Sequence, residues 1–141
     1  MPFGGFDHID TRVQSVKSVE PFYDRLMPAL GLPNKNYAFV DERGDWHDAD
    51  ATRYNAVEYR EPPQSGRAVF FIGFIEDGKP AGGTRIAFRM AQEDLDRWER
   101  ELPDFGACNI EPSAEPENYP AIFFEDPAGT KLEFVARKPR P

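Results

Sequence analysis

Two residues that could do chemistry, Glu133 and Arg85, lie far apart in the sequence. Their side chains carry a carboxylate and a guanidinium group. Glu133 stands between Leu132 and Phe134 on an apolar stretch, so its carboxylate needs a partner if it is buried. Arg85 offers a bidentate partner. We therefore expect an ion pair between Arg85 and Glu133, which is either structural or in contact with a substrate. Arg85 acting alone would instead bind an anionic group of the substrate.

Two histidines, a single cysteine and several phenylalanines are the other candidates. His8 either lines a polar surface through hydrogen bonds or acts as a ligand or catalytic group, whereas His47 is expected to be a solvated loop residue. Cys108 has no second cysteine for a disulfide, and we expect it to be a small buried hydrophobe. A group of phenylalanines is expected mainly in the core, and those facing a cavity would form an apolar wall for a ligand. They are Phe70, Phe71, Phe74, Phe123 and Phe124.

The elements that must position these residues repeat along the chain. The segment from His8 to Val13 matches that from Arg85 to Met90, and each is followed by a helical pattern that ends near a glycine. Alternation of apolar and polar residues predicts a strand at 6–13, and apolar spacing predicts a helix that begins near Ser18. Further strands are expected at 36–41, 53–60, 67–75, 107–111, 119–125 and 131–136. With the segment from Arg85 to Met90 as the first strand of the second copy, the order β-α-β-β-β occurs twice and predicts an α+β fold with eight strands.

We expect one domain over residues 1–141, built from two modules. The first module covers about 1–76, and the second covers about 84–138. Residues 77–83 are glycine-rich and contain a proline, which predicts a linker. The acidic stretch 41–50 is expected to be a loop.

Composition excludes several classes of function. The chain has 141 residues and a net charge of -8, which opposes binding to nucleic acid and to anionic membrane surfaces. Its apolar stretches are too short to span a bilayer, and its first residues do not have the pattern of a signal peptide. We therefore expect a cytoplasmic protein with no nucleic-acid or membrane partner.

Three stretches carry a resemblance to a known superfamily. They are Phe6-Asp-His-Ile-Asp with the helix that follows, Gly83-Thr-Arg-Ile-Ala-Phe, and Asp126-Pro-Ala-Gly-Thr-Lys-Leu-Glu-Phe. Paired β-α-β-β-β modules with these stretches resemble the vicinal oxygen chelate superfamily, which includes glyoxalase I, extradiol dioxygenases, fosfomycin-resistance enzymes and bleomycin-binding proteins. The resemblance implies two modules whose sheets curl around a cup.

The resemblance also implies positions for a divalent metal ion such as Zn, Ni, Mn or Fe. Relatives take a histidine from the first strand of each module and a carboxylate from the last strand. His8 and Glu133 match two of these positions. Arg85 stands at the second histidine position, and Phe70 or Phe71 stands at the other carboxylate position. Arginine remains protonated and cannot donate a lone pair to a metal ion.

Further side chains would have to complete such a metal site. His47, Glu58 and Asp10 are the candidates for the missing ligands. Without them, His8 and Glu133 are too few ligands for a tight site.

The resemblance implies a glyoxalase-like protein without the full standard metal set, which binds or transforms a small organic metabolite. Glu133 and Arg85 are the candidate catalytic residues, and His8, Arg85, Phe71 and Phe123 are the candidate substrate-binding residues. A second hypothesis is a metal-dependent glyoxalase or dioxygenase that uses His8 and Glu133. A third is an antibiotic-sequestering protein of the bleomycin-binding type, and a fourth is a metal-free enzyme. A homodimer is expected because sheets of this kind leave open edges.

Overall fold

The computed structural model describes residues 2–139, and the chain divides into two compact units. The first unit is Met1–Lys79 and the second is Pro80–Pro141. The boundary falls inside the expected linker 77–83. Each unit contains one mixed sheet and one α-helix.

The first unit has the expected β-α-β-β-β order with one additional strand. Its elements are β1 (His8–Val13), α1 (Val16–Ala29), β2 (Asn34–Val40), β3 (Trp46–Asp48), β4 (Ala56–Arg60) and β5 (Phe71–Glu76). The sheet order is β1-β5-β4-β2-β3, in which β1 runs parallel to β5 and the other neighbours are antiparallel. The added strand, β3, lies in the acidic stretch 41–50. There Asp41 accepts hydrogen bonds from the backbone of Arg43 and Asp45, both at 2.9 Å, and closes a hairpin.

Helix α1 covers one face of the first sheet because its apolar side chains recur at helical spacing. Its buried residues are Val16, Val19, Phe22, Tyr23, Leu26 and Met27. The ring of Tyr23 stacks on Phe74 of β5, with 3.7 Å between the ring centroids. The helix begins at Val16 and not at Ser18 as the sequence suggested. Ser18 lies in the first turn, where its hydroxyl donates to the carbonyl of Ser15 at 2.8 Å.

A partly buried charge cluster joins α1 to the sheet, and we call it the lysine cluster. Lys35 of β2 pairs with Glu20 and with Asp24 of α1, the latter at 2.8 Å. The hydroxyl groups of Tyr54 and Tyr59 donate to Glu20 and Asp24, respectively. Only 20% of the Lys35 side chain and 13% of the Glu20 side chain are exposed. The cluster therefore holds the helix to the sheet through charge-assisted hydrogen bonds.

The second unit repeats the plan in a smaller form. Its elements are β6 (Arg85–Arg89), α2 (Leu95–Phe105), β7 (Cys108–Pro112), β8 (Ala121–Glu125) and β9 (Lys131–Val135). The sheet order is β6-β9-β8-β7, with β6 parallel to β9. Helix α2 packs on one face through Trp98, whose ring centroid is 4.9 Å from that of Phe134. The helix ends at Gly106, where a φ of 99° favours glycine.

These units confirm the expected α+β fold of two β-α-β-β-β modules. Residues 2–139 contain nine strands instead of the expected eight, because of β3. Cys108 was expected to be buried, but it is exposed because it lies on β7, the edge strand of its sheet. No helix within the described residues is long and apolar enough to cross a membrane.

Candidate functional site

Each sheet has one face turned away from its helix, and we call this the helix-free face. Residues paired in register on neighbouring strands point to the same side of a sheet. In the first unit the helix-free face carries polar and aromatic side chains, namely His8, Asp10, Glu58, Arg60 and Phe71, with Gly73 among them. In the second unit it carries Arg85, Ala87, Phe123, Lys131 and Glu133. The predicted catalytic and substrate-binding residues His8, Phe71, Arg85, Phe123 and Glu133 therefore lie on helix-free faces.

In the first unit, the predicted residues His8 and Phe71 are in direct contact. Their rings stack with 4.6 Å between centroids and 3° between planes. The guanidinium carbon of Arg60 lies 4.7 Å from the centroid of the same Phe71 ring. His8 Nδ1 also lies 2.7 Å from the carboxylate of Asp7. This hydrogen bond raises the pKa of His8 above its ordinary value and outweighs the opposing effect of burial.

The strand register corrects one predicted equivalence between the modules. His8 pairs with Phe71 in the first unit, and Arg85 pairs with Lys131 in the second. Glu133 lies two residues beyond Lys131. Its counterpart in the first unit is therefore Gly73, which lies two residues beyond Phe71. The sequence had placed Phe70 or Phe71 there. A Cβ atom on Gly73 would lie 2.9 Å from the Asp10 carboxylate, so the glycine makes room for that group. The first module therefore lacks a carboxylate at this position of its last strand.

A cavity of about 680 Å³ lies beside this face in the first unit. Its lining includes Asn36 of β2, Trp46 of β3, and Glu58 and Arg60 of β4. Arg60 donates to Glu58 at 3.2 Å. The cavity is open and polar, and its one arginine already has a carboxylate partner.

In the second unit, the predicted ion pair between Arg85 and Glu133 is wrong. Among residues 2–139 no ion pair joins them. Glu133 lies opposite Ala87 on β6, while Arg85 lies opposite Lys131, so the two side chains are offset by two residues along the strands. Glu133 is 4% exposed and instead accepts a hydrogen bond from the hydroxyl of Tyr119 at 2.6 Å. That bond raises the pKa of Tyr119.

Arg85 contacts an aromatic ring. Its guanidinium carbon lies 4.9 Å from the centroid of Phe123. The rings of Phe123 and Tyr119 are parallel within 5°, with 6.4 Å between centroids, and the guanidinium carbon of Arg137 lies 4.9 Å from the Tyr119 ring. We call these four side chains the arginine–aromatic row. Within the part of the chain that the structure describes, neither guanidinium has a carboxylate partner.

Tyr119 and Arg137 are not among the site residues that the sequence predicts. Tyr119 does recur in the internal repeat, where it matches Tyr54, and both tyrosines donate to a glutamate. The match with Tyr54 is the sequence feature that could have indicated Tyr119. Arg137 follows the last strand, and no pattern in the sequence distinguishes it from other surface arginines.

The residues present do not fit the metal set that the fold implies. No group of three or more His, Cys, Asp or Glu side chains within residues 2–139 is arranged to hold a metal ion. Arg85 brings a fixed positive charge and no lone pair to the second histidine position. Two of the side chains expected to complete a metal site have other partners. His47 bonds to Asp41 at 2.8 Å in the β2–β3 hairpin, and Glu58 is paired with Arg60. Asp10 lies 3.7 Å from His8 Nε2.

Comparison with known proteins gives relatives of consistent type. No family model matches the chain. The chain is 26% identical over 131 residues to the metallothiol transferase FosB of Bacillus licheniformis, covering 92% of this chain and 73% of that protein. A glyoxalase/bleomycin resistance protein from Albidiferax ferrireducens has a similar structure, with a TM-score of 0.61, 19% identity, and coverage of 94% and 98% of the two chains.

A second solved structure is the fosfomycin resistance protein FosX from Listeria monocytogenes, in a complex with Mn(II) and a sulfate ion. Its TM-score is 0.59 at 16% identity, and the match covers 97% of this chain and 93% of that chain. At these identities the likeness to solved structures shows the shared fold. It agrees with the α+β modules described above.

Proposed function

We propose that this protein, whose relatives point to the vicinal oxygen chelate superfamily, binds a small organic anion on its helix-free faces. In this proposal the anion is bound without the standard set of metal ligands. Arg85 binds the anionic group, and Phe123 forms an apolar wall beside it. His8 and Phe71 form the corresponding surface of the first unit. The ligand is a metabolite-sized molecule that carries a carboxylate or phosphonate.

The proposal rests on the absence, within residues 2–139, of a polar partner for the Arg85 side chain. Its guanidinium is exposed, lies on the Phe123 ring, and has no hydrogen bond or ion pair with any other described residue. Arginine presents planar donors that match carboxylate and phosphonate oxygens. In a chain with a net charge of -8, an unpaired arginine beside a half-buried aromatic wall supports recognition of an anion.

The named relatives support a small ligand of this kind. FosB is a metallothiol transferase and FosX is a fosfomycin resistance protein, and fosfomycin is itself a small phosphonate. Mn(II) is bound in the FosX structure. Arg85 stands where the family resemblance implies a metal-binding histidine, and its positive charge would take over part of the attraction that a cation exerts on an anionic ligand.

Titration calorimetry with fosfomycin and with a panel of small carboxylates tests the proposal. We expect at least one anion to bind, and Arg85→Gln to weaken that binding about tenfold or more, because a charged hydrogen bond to the ligand is lost. Arg100→Gln is the matched control, since it removes the same charge from the exposed surface of α2. Equal binding by the wild type and Arg85→Gln would refute the role of Arg85.

We also propose that the protein forms a homodimer. Each sheet ends in edge strands, including β3 and β7, whose outer backbone groups have no partner strand in their own unit. Pairing of such edges between chains satisfies these groups and prevents aggregation. Light scattering on the purified protein should give twice the monomer mass. A constant monomer mass across a wide dilution range would contradict this proposal.

A further inference from the structure

We infer that the anionic ligand of the proposed function is a planar aromatic carboxylate, recognised by the arginine–aromatic row of the second unit. The inference rests on the proposed function and adds the shape of the ligand to its charge. Arg85 and Phe123 act together in it. Tyr119 and Arg137 extend the same surface.

Arg85 presents planar hydrogen-bond donors to a ligand. A guanidinium binds a carboxylate through two parallel hydrogen bonds, and the two groups then lie in one plane. In a benzoate-type molecule the ring is conjugated with the carboxylate and shares that plane. The guanidinium carbon lies 4.9 Å from the centroid of the Phe123 ring. A flat group attached to the bound carboxylate therefore lies next to the aromatic surface.

Two aromatic rings form the surface beside Arg85. Phe123 and Tyr119 are half-buried, and their rings are parallel within 5°. Parallel rings present one orientation to a ligand, and offset stacking on them adds to the gain from apolar burial. A saturated ring has no π-system and is puckered, so it gains only the apolar part. The row therefore favours a flat ligand over a puckered one of equal size.

Charged side chains lie next to these rings. Glu133 lies on the same face and would repel an anion, but the hydroxyl of Tyr119 donates to it at 2.6 Å and partly offsets its charge. At the far end of the row, the guanidinium of Arg137 lies over Tyr119 and has no carboxylate partner among residues 2–139. The ends of the row are thus positive, and the centre is aromatic.

Calorimetric titration of the full chain with benzoate and with cyclohexanecarboxylate tests the inference. Both are monoanions at neutral pH and both carry a six-carbon ring, so they differ in planarity and π-character. We expect benzoate to bind about tenfold more tightly, which corresponds to the stacking contribution of one to two aromatic contacts. Equal affinity for the two anions would overturn the inference and leave the proposed function intact.

Two variants separate the parts of the site. Phe123→Leu keeps an apolar side chain and removes the ring, so benzoate should lose its advantage while both anions still bind. Arg85→Gln should weaken both anions alike. Retention of the benzoate preference in Phe123→Leu would overturn the role of Phe123. Failure of the wild type to bind either of these anions or any of the carboxylates and fosfomycin would refute the proposed function itself.

Discussion

Lys35→Met is expected to lower the free energy of unfolding by about 3 kcal/mol, because it leaves two paired carboxylates without their cation. Glu20 and Asp24 both contact Lys35, and Glu20 is 13% exposed. Methionine keeps most of the apolar stem of the side chain, so the loss of stability comes mainly from removal of the charge. Urea denaturation at neutral pH measures the effect. Lys17→Met, an exposed position on α1, is the matched control and should change stability little.

The same variant makes a prediction about alkaline pH. Burial lowers the pKa of Lys35, but hydrogen bonds with Asp24 and Glu20 outweigh it and raise the pKa above its ordinary value of 10.5. A group with a raised pKa stabilises the fold fully below its ordinary pKa, and this stabilisation is lost as the pH rises through the higher value. The stability difference between the wild type and Lys35→Met should therefore be constant near neutral pH and shrink above 10.5. A difference that grows with alkaline pH would contradict the assignment.

The internal repeat predicted the fold because each module contains enough local information to form its own elements. Apolar spacing indicated α1 and α2, and alternation indicated β1. The hairpin strand β3 was missed because its three residues, Trp46 to Asp48, are all exposed and have no buried face to give a periodic pattern. Its formation depends on Asp41, whose side chain closes the loop.

The site was harder to predict because strand register is a tertiary property. A shift of two residues between neighbouring strands keeps every side chain on its own face, so alternation cannot detect it. Glu133 was therefore assigned to Arg85, although the ladder places it opposite Ala87, and Gly73 was overlooked as its counterpart. His8 and Phe71 were named separately as substrate-binding candidates, and the register between β1 and β5 is what brings their rings into contact.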